Sequence, residues 1–480
     1  MMVFSMSHSV RRIVPVLLFL TPALTLLLGQ KPEETLEQAR KMMAASDLNG
    51  ARDLLSRAAE KNPDLPEFPA FLGLADYFRG DMADAEMEFK KAIRMKDNYG
   101  SAWLGLGRVF EAASLRAKAK ICYQKAWKEN PDDPEIRTYY LRTLPAADRL
   151  AALQRFAAEV PGLDKEKTDR LRRQIDELKW TANRKLFAVA APERTEVKLS
   201  WLLLNTREIS GFALPVSING GRTLHLLMDT GASGILLNRK LAEAAGLPKI
   251  ADLKFGGIGD EGDRTGYMAF AETVRIGGVS FTECPIGVSE KKFLTDEDGL
   301  IGPDIFAKFL VTIDLRKLVL RLDPLPPHKT AAADEAWQDA ENSPAFADFS
   351  PFWRVGHDIL LPVRVNDAPP VLFVVDTGSS SSLIDPDYAA RFTGVRSEDL
   401  MSVKGVSGKV NKVQSTGYLT FQFAHYRQRV PGVLAVPLTK MGHDSPRITG
   451  IFGVTTLANF RMQINYRDGL MNLEYVGPKY

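Results

Sequence analysis

The feature that most constrains this 480-residue chain is a short plan used twice, a hairpin that runs into an Asp-Thr-Gly loop. Leu214, Val216 and Ile218 alternate with Pro215 and Ser217, the period of a half-buried strand. Asn219-Gly220 marks a tight turn, and the returning segment 224–228 leads into Asp229-Thr230-Gly231-Ala232-Ser233. The second half repeats this with Leu361, Val363 and Val365, a turn through 366–370, the apolar run 371–375, and Asp376-Thr377-Gly378-Ser379-Ser380. Both Leu214 to Leu361 and Asp229 to Asp376 span 147 residues, so the halves align here without a gap. Downstream, Leu300-Ile301-Gly302 with Phe309 and Ile313-Asp314 matches Ile451-Phe452-Gly453 with Phe460 and Ile464-Asn465, at an offset of 151. Between these marks each half carries a glycine-rich hairpin signal, Gly256-Gly257-Ile258-Gly259 and Gly405-Val406-Ser407-Gly408. A polar, Pro-rich stretch at 324–354 reads as a linker between lobes at 195–323 and 355–480.

A lone Asp-Thr-Gly would arise by chance in on the order of one chain in ten of this length. Two copies, each after an apolar strand and each followed in phase by an apolar-apolar-Gly segment, form a far more specific constellation. It resembles the pepsin-like and retroviral-type aspartic peptidases over residues 195–480, and the short lobes look closer to the retroviral type fused in tandem. The resemblance implies a bilobal all-β acid-protease fold with Asp229 and Asp376 as the catalytic pair. It also implies that the Thr230 and Thr377 hydroxyls hydrogen-bond across a pseudo-twofold axis, and that Gly302 and Gly453 lie beside the loops. Gly257, Ile258 and Gly259 in one lobe, and Gly405, Val406 and Ser407 in the other, would be flaps gripping an extended peptide. Neither flap has an evident tip tyrosine, and Thr455-Thr456 replaces Asp304-Ile305 in the second lobe. Those departures bear on substrate preference more than on catalysis.

The chemistry explains the residue types. Peptide hydrolysis without a covalent intermediate needs a base for the water and an acid for the carbonyl oxygen and leaving nitrogen. Two carboxylates a few ångströms apart supply both, because like charges that close share one proton. The proton belongs to the pair, so the sequence assigns no fixed roles. Gly231 and Gly378 permit a tight turn and close approach of backbone N–H groups. Ala232 faces Ser379 in the alignment, and a Ser379 hydroxyl can donate to the adjacent carboxylate. Lobe one lacks that donor, which predicts activity extending towards neutral pH.

Residues 32–133 show a different period. Trp103, Leu106, Gly107, Phe110, Ala119, Tyr123, Ala126 and Pro131 stand at the spacings of a 34-residue tetratricopeptide repeat. One step back lie Leu72, Gly73, Ala85, Phe89 and Ala92, and another gives Ala51, Leu55, Ala58 and Pro63. Three helix pairs at 32–65, 66–99 and 100–133 would stack, the first degenerate where Gln38 and Ala39 replace Leu-Gly. Further helical patterns at 134–185 would cap the last pair. The expected fold class is thus an α-helical tetratricopeptide superhelix followed by a bilobal all-β aspartic-peptidase fold. Arrays of this kind commonly bind peptide segments, so a protein partner is expected beside the peptide or protein substrate.

Composition narrows the remaining classes. Sixty-two basic and 59 acidic residues leave a net charge of +3, with no basic stripe for nucleic acid. The two cysteines, Cys122 and Cys284, fall in different regions and read as separate thiols. Neither they nor the six scattered histidines have metal-ligand spacing, so no metal or cofactor is expected. Arg11-Arg12 precede the apolar run 13–28, the pattern of a secretory signal within residues 1–30. Export to the periplasm or beyond is expected, with membrane anchoring if the segment stays uncleaved.

Other motifs read more plainly. The string 257–262 spells GxGxxG but lacks the strand-and-helix context of a dinucleotide site. His225 reads as a packed or edge residue, and Ser233 and Ser380 have no His-Asp partners at recognisable spacing. Two functions then compete, an exported endopeptidase and an inactive peptide-binding scaffold acting through its repeats; the intact Asp-Thr-Gly pair favours the first. Two complementary lobes on one chain favour intramolecular pairing over dimerisation.

Overall fold

The computed structural model describes residues 31–159, 164–190, 192–203, 209–290, 298–326, 344–398, 403–438 and 445–478. The expected export segment 1–30 lies outside the described residues, as do residues 327–343 of the expected linker.

Three helical hairpins open the described chain: Pro32–Ala44 with Leu48–Lys61, Glu67–Arg79 with Met82–Met95, and Gly100–Ala112 with Arg116–Glu129. Their ends follow from local chemistry. Pro32 supplies the fixed φ suited to a first turn, and Asp47 Oδ1 accepts the Gly50 N–H at 3.0 Å as an N-cap. Gly80, at φ 87°, stops its helix in the left-handed conformation that glycine adopts freely. Small residues sit where helices touch. A Cβ on Gly105 would lie 2.2 Å from the Phe89 ring, and one on Gly107 2.5 Å from Tyr123. Helices Pro134–Arg142, Ala146–Glu159 and Lys165–Thr181 follow, and the last of them meets lobe one, where Trp180 packs on Phe270 with ring centroids 6.3 Å apart.

The array is not a free arm. Tyr77, Phe89 and Val109 share one buried cluster with Leu360, Leu372, Val374, Leu383 and Ile451 of lobe two. The Arg447 N–H donates to the Phe78 carbonyl at 2.7 Å across the same seam. One apolar face of the helices is therefore covered by the protein's own sheet.

Each lobe is built on its own antiparallel-dominated sheet, eight-stranded in lobe one and ten-stranded in lobe two. A six-stranded sheet joins them, and its centre is the antiparallel pair Phe309–Asp314 with Phe460–Asn465, in which Thr312 faces Gln463. These are the strands opened by the duplicated phenylalanines, and Phe309 and Phe460 are both buried. The segment read as linker is partly structural. Strands Ser350–Pro351 and Trp353–Val355 pair within the inter-lobe and lobe-two sheets, with Phe352 buried between them. Short strands interleaved with prolines leave no long alternating run, which is why composition alone made them look like a spacer.

Candidate active site

In lobe one the strand Thr223–Met228 runs parallel to Gly299–Ile301, and the Asp229 N–H donates to the Ile301 carbonyl at 3.0 Å. In lobe two Val371–Val375 runs parallel to Ile448–Phe452, and the Asp376 N–H donates to Phe452 O, again at 3.0 Å. The apolar-apolar-Gly segments thus brace the strands that deliver the two aspartates. Gly302 and Gly453 sit against the loops as expected: a Cβ would lie 2.1 Å from Ala232 O and 2.3 Å from Ser381 O respectively.

The two loops interlock. Thr230 N–H donates to Thr377 Oγ1 at 3.1 Å, and Thr377 N–H donates to Thr230 Oγ1 at 2.9 Å. Each hydroxyl donates onward to the other lobe's strand, Thr230 to Val375 O and Thr377 to Met228 O, both at 2.7 Å. Both threonines are fully buried, where hydrogen bonds left unmade would be costly. The glycines are placed reciprocally. A Cβ on Gly231 would stand 2.9 Å from Asp376 Cγ, and one on Gly378 2.4 Å from Asp229 Cγ. Only glycine lets each loop come this close to the opposite carboxylate.

Asp229 and Asp376 face each other at the floor of a cleft of about 510 Å³ between the lobes. Asp229 Oδ1 accepts one backbone N–H, from Gly231 at 2.9 Å. Asp376 Oδ1 accepts two, from Gly378 at 2.8 Å and Ser379 at 3.1 Å. Burial pushes both carboxyls above the ordinary range. Asp229 is pushed further, because the Asp376 charge adds to its desolvation. Asp376 is restrained by the hydrogen bond from Asp229 and by its two N–H donors. The two carboxyls therefore share one proton, and the additional backbone donor at Asp376 favours the ionised form there.

The expected role of the Ser379 hydroxyl is corrected. It donates to the Ser381 carbonyl at 2.8 Å, within its own loop, and the backbone N–H serves the carboxylate instead. The lobes do differ at this point, but through the number of backbone donors. The other lobe difference is also internal to the loops: Asp304 accepts from Ser233 Oγ and Gly234 N–H, while Thr455 and Thr456 bond Ser382.

The glycine-rich segments close the cleft from above. Gly257, Ile258, Gly405 and Val406 line it. Gly259 and Ser407 tie the segments together instead. Gly257 N–H donates to Ser407 Oγ at 3.0 Å, Ser407 N–H to Ile258 O at 3.0 Å, and Glu261 N–H to Ser407 O at 2.8 Å. A Cβ on Gly259, at φ 137°, would lie 2.3 Å from the Ser407 carbonyl.

The cleft lining includes residues absent from the sequence reading, among them Phe187, His357 and Asp358. Phe187 comes from the connection after the last helix. His357 and Asp358 follow Gly356 at a tight turn, and their polarity just ahead of the apolar strand was the available signal. Among the described residues no group of three or more His, Cys, Asp or Glu side chains is arranged to hold a metal ion.

Residues 214–305 and 361–456, the two lobes with their Asp-Thr-Gly loops, match a family model described as aspartyl protease. The chain is therefore a helical N-terminal region followed by an all-β, two-lobed domain of the aspartic-protease fold. DNA damage-inducible protein 1 of Neurospora crassa is 28% identical over 230 residues, covering 43% of this chain and 51% of that protein. The protein of the same name from Chaetomium globosum is 28% identical over 201 residues, 38% of this chain and 44% of that one. The chain spans about half the length of the curated relatives it matches. An aspartic proteinase from Irpex lacteus, of known structure, overlaps 59% of this chain and 97% of its own at 14% identity and a TM-score of 0.38.

Proposed function

We propose that this protein is an aspartic endopeptidase of the retroviral-like kind, exported from the cell, whose helical region is a tetratricopeptide array. The observation that carries the catalytic reading is the pairing of Asp229 and Asp376 on interlocked loops under a closed pair of flaps. The ionised Asp376 takes a proton from a water lying between the two carboxyls. The protonated Asp229 polarises the substrate carbonyl and a proton is then delivered to the leaving amine. The flaps exclude bulk water and offer backbone groups to an extended peptide. Export rests on Arg11-Arg12 and the apolar run behind them. A partner for the array would use a face other than the one seated on lobe two.

Digestion of a denatured proteome by the wild-type protein and by Asp229→Asn, over roughly pH 3 to 8 to bracket a carboxyl pair with raised pKa values, tests the reading. New peptide ends are expected with the wild type and not with the variant. Equal cleavage by both, or none by either, would transfer the function to the helical array.

A further inference from the structure

Lobe two is not a copy of lobe one at the cleft wall. In the 147-residue frame, His357 and Asp358 fall where lobe one has Ser210 and Gly211. Strands Trp353–Val355 and Asp358–Val365 pair through a two-residue turn whose first residue, Gly356, has φ 62°. That turn brings both side chains to the cleft. His357 Nε2 lies 3.0 Å from the Gly231 carbonyl and 3.4 Å from Asp358 Oδ1, so the ring is held between the lobe-one loop and the new carboxylate.

Asp358 is poorly compensated where it stands. Its side chain keeps 21% of its exposure, and among the described residues the histidine is its one ion-pairing neighbour. Burial pushes its carboxyl up to about 6. Asp304, by contrast, is satisfied by Ser233 and Gly234 of the neighbouring Asp-Thr-Gly loop. The cleft carries apolar side chains, including Leu253, Phe255, Met268, Leu300 and Leu383, and Lys404 stands exposed on lobe two's own flap. A carboxylate stripped of water in apolar surroundings is relieved by a cation that hydrogen-bonds to it.

We propose that Asp358 is a specificity-determining residue, receiving the basic side chain of a Lys or Arg in an extended peptide bound across Asp229 and Asp376. His357 is a positioning residue that fixes the carboxylate's direction from the Gly231 carbonyl. The assignment rests on the peptidase reading. A cationic peptide N-terminus shares this chemistry, so the test separates the two.

The test uses the full chain and N-acetylated peptides in matched pairs, one with Lys and one with norleucine, moved along the positions flanking the cleaved bond. At one position the Lys peptide is expected to be cleaved about tenfold better in kcat/KM, the scale of a partly buried charge-assisted contact. Asp358→Asn brings that ratio to about one, and Asp358→Glu retains part of it, which a merely structural role would not do. A ratio near one in the wild type at every position overturns the proposal. So does a preference that survives Asp358→Asn or that requires a free N-terminus. If no peptide is cleaved, the peptidase reading fails by itself. The same pairs are then compared by fluorescence anisotropy, where equal affinities for Lys and norleucine peptides overturn the role of Asp358 separately.

Discussion

Thr230 and Thr377 each accept the other's backbone N–H and each donate to the strand behind the other, so the two Asp-Thr-Gly loops share four buried hydrogen bonds. Thr377→Val keeps the shape and removes the hydroxyl, which leaves the Thr230 N–H and the Met228 carbonyl unpaired. At about 1–3 kcal/mol for each buried group, a loss of about 2–6 kcal/mol in urea unfolding is expected. Peptide hydrolysis is expected to fall with it, because the aspartates lose their registration. An unchanged unfolding midpoint would mean that the lobes are held together elsewhere.

The carboxyl pair links stability to pH in a definite direction. Both groups are raised in the folded protein, so the fold holds protons that the unfolded chain releases. Their favourable contribution is full below about pH 4 and is lost as pH rises through the raised values. Asp376→Asn removes one of the competing charges. Thermal scans are expected to show a higher Tm than wild type at neutral pH and little difference in acid. A lower Tm at neutral pH would show that the carboxylates attract their surroundings more than they repel each other.

Ser379→Ala tests which part of that residue serves Asp376. Its hydroxyl is engaged with Ser381, and its backbone N–H remains in the variant. The pH profile of kcat/KM is expected to stay in place. Ala232→Ser is expected to be equally quiet, since the homologous hydroxyl turns away from the carboxylate. A shift of either profile towards acid would restore the hydroxyl as a donor.

Gly80 couples the helical array to lobe two. It sits at φ 87°, and a Cβ there would lie 2.7 Å from Leu372 Cγ. Gly80→Ala adds left-handed strain to overpacking, and a cost of about 2–4 kcal/mol is expected. Helical far-UV signal and hydrolytic activity are expected to be lost together in urea, because the array and the lobe share one apolar cluster. Separate transitions would make the array an independent unit.

What was legible from sequence follows period and duplication. The 147-residue frame placed Asp229, Asp376, both threonines and both motif glycines, because a duplicated loop needs the same residues in the same order. Gly107 announced the close contact with Tyr123, since paired helices need small residues where they touch. The Ser379 hydroxyl was misassigned because a rotamer choice between a carboxylate and a nearby carbonyl leaves no trace in residue type. His357 and Asp358 were missed because they are what the duplication does not share. The seating of the array on lobe two was invisible for another reason: Leu372 and Val374 look the same whether a strand or a helix covers them.

The most direct test measures kcat/KM on one peptide for the wild type, Asp229→Asn and Asp376→Asn, with Tm recorded to show that each variant is folded. Cleavage by the wild type and a loss of at least about a thousandfold in both variants is the expected result, since each carboxyl has a distinct part in moving the proton. Cleavage that persists at the wild-type rate in either folded variant would contradict the pairing of Asp229 with Asp376 as the catalytic centre.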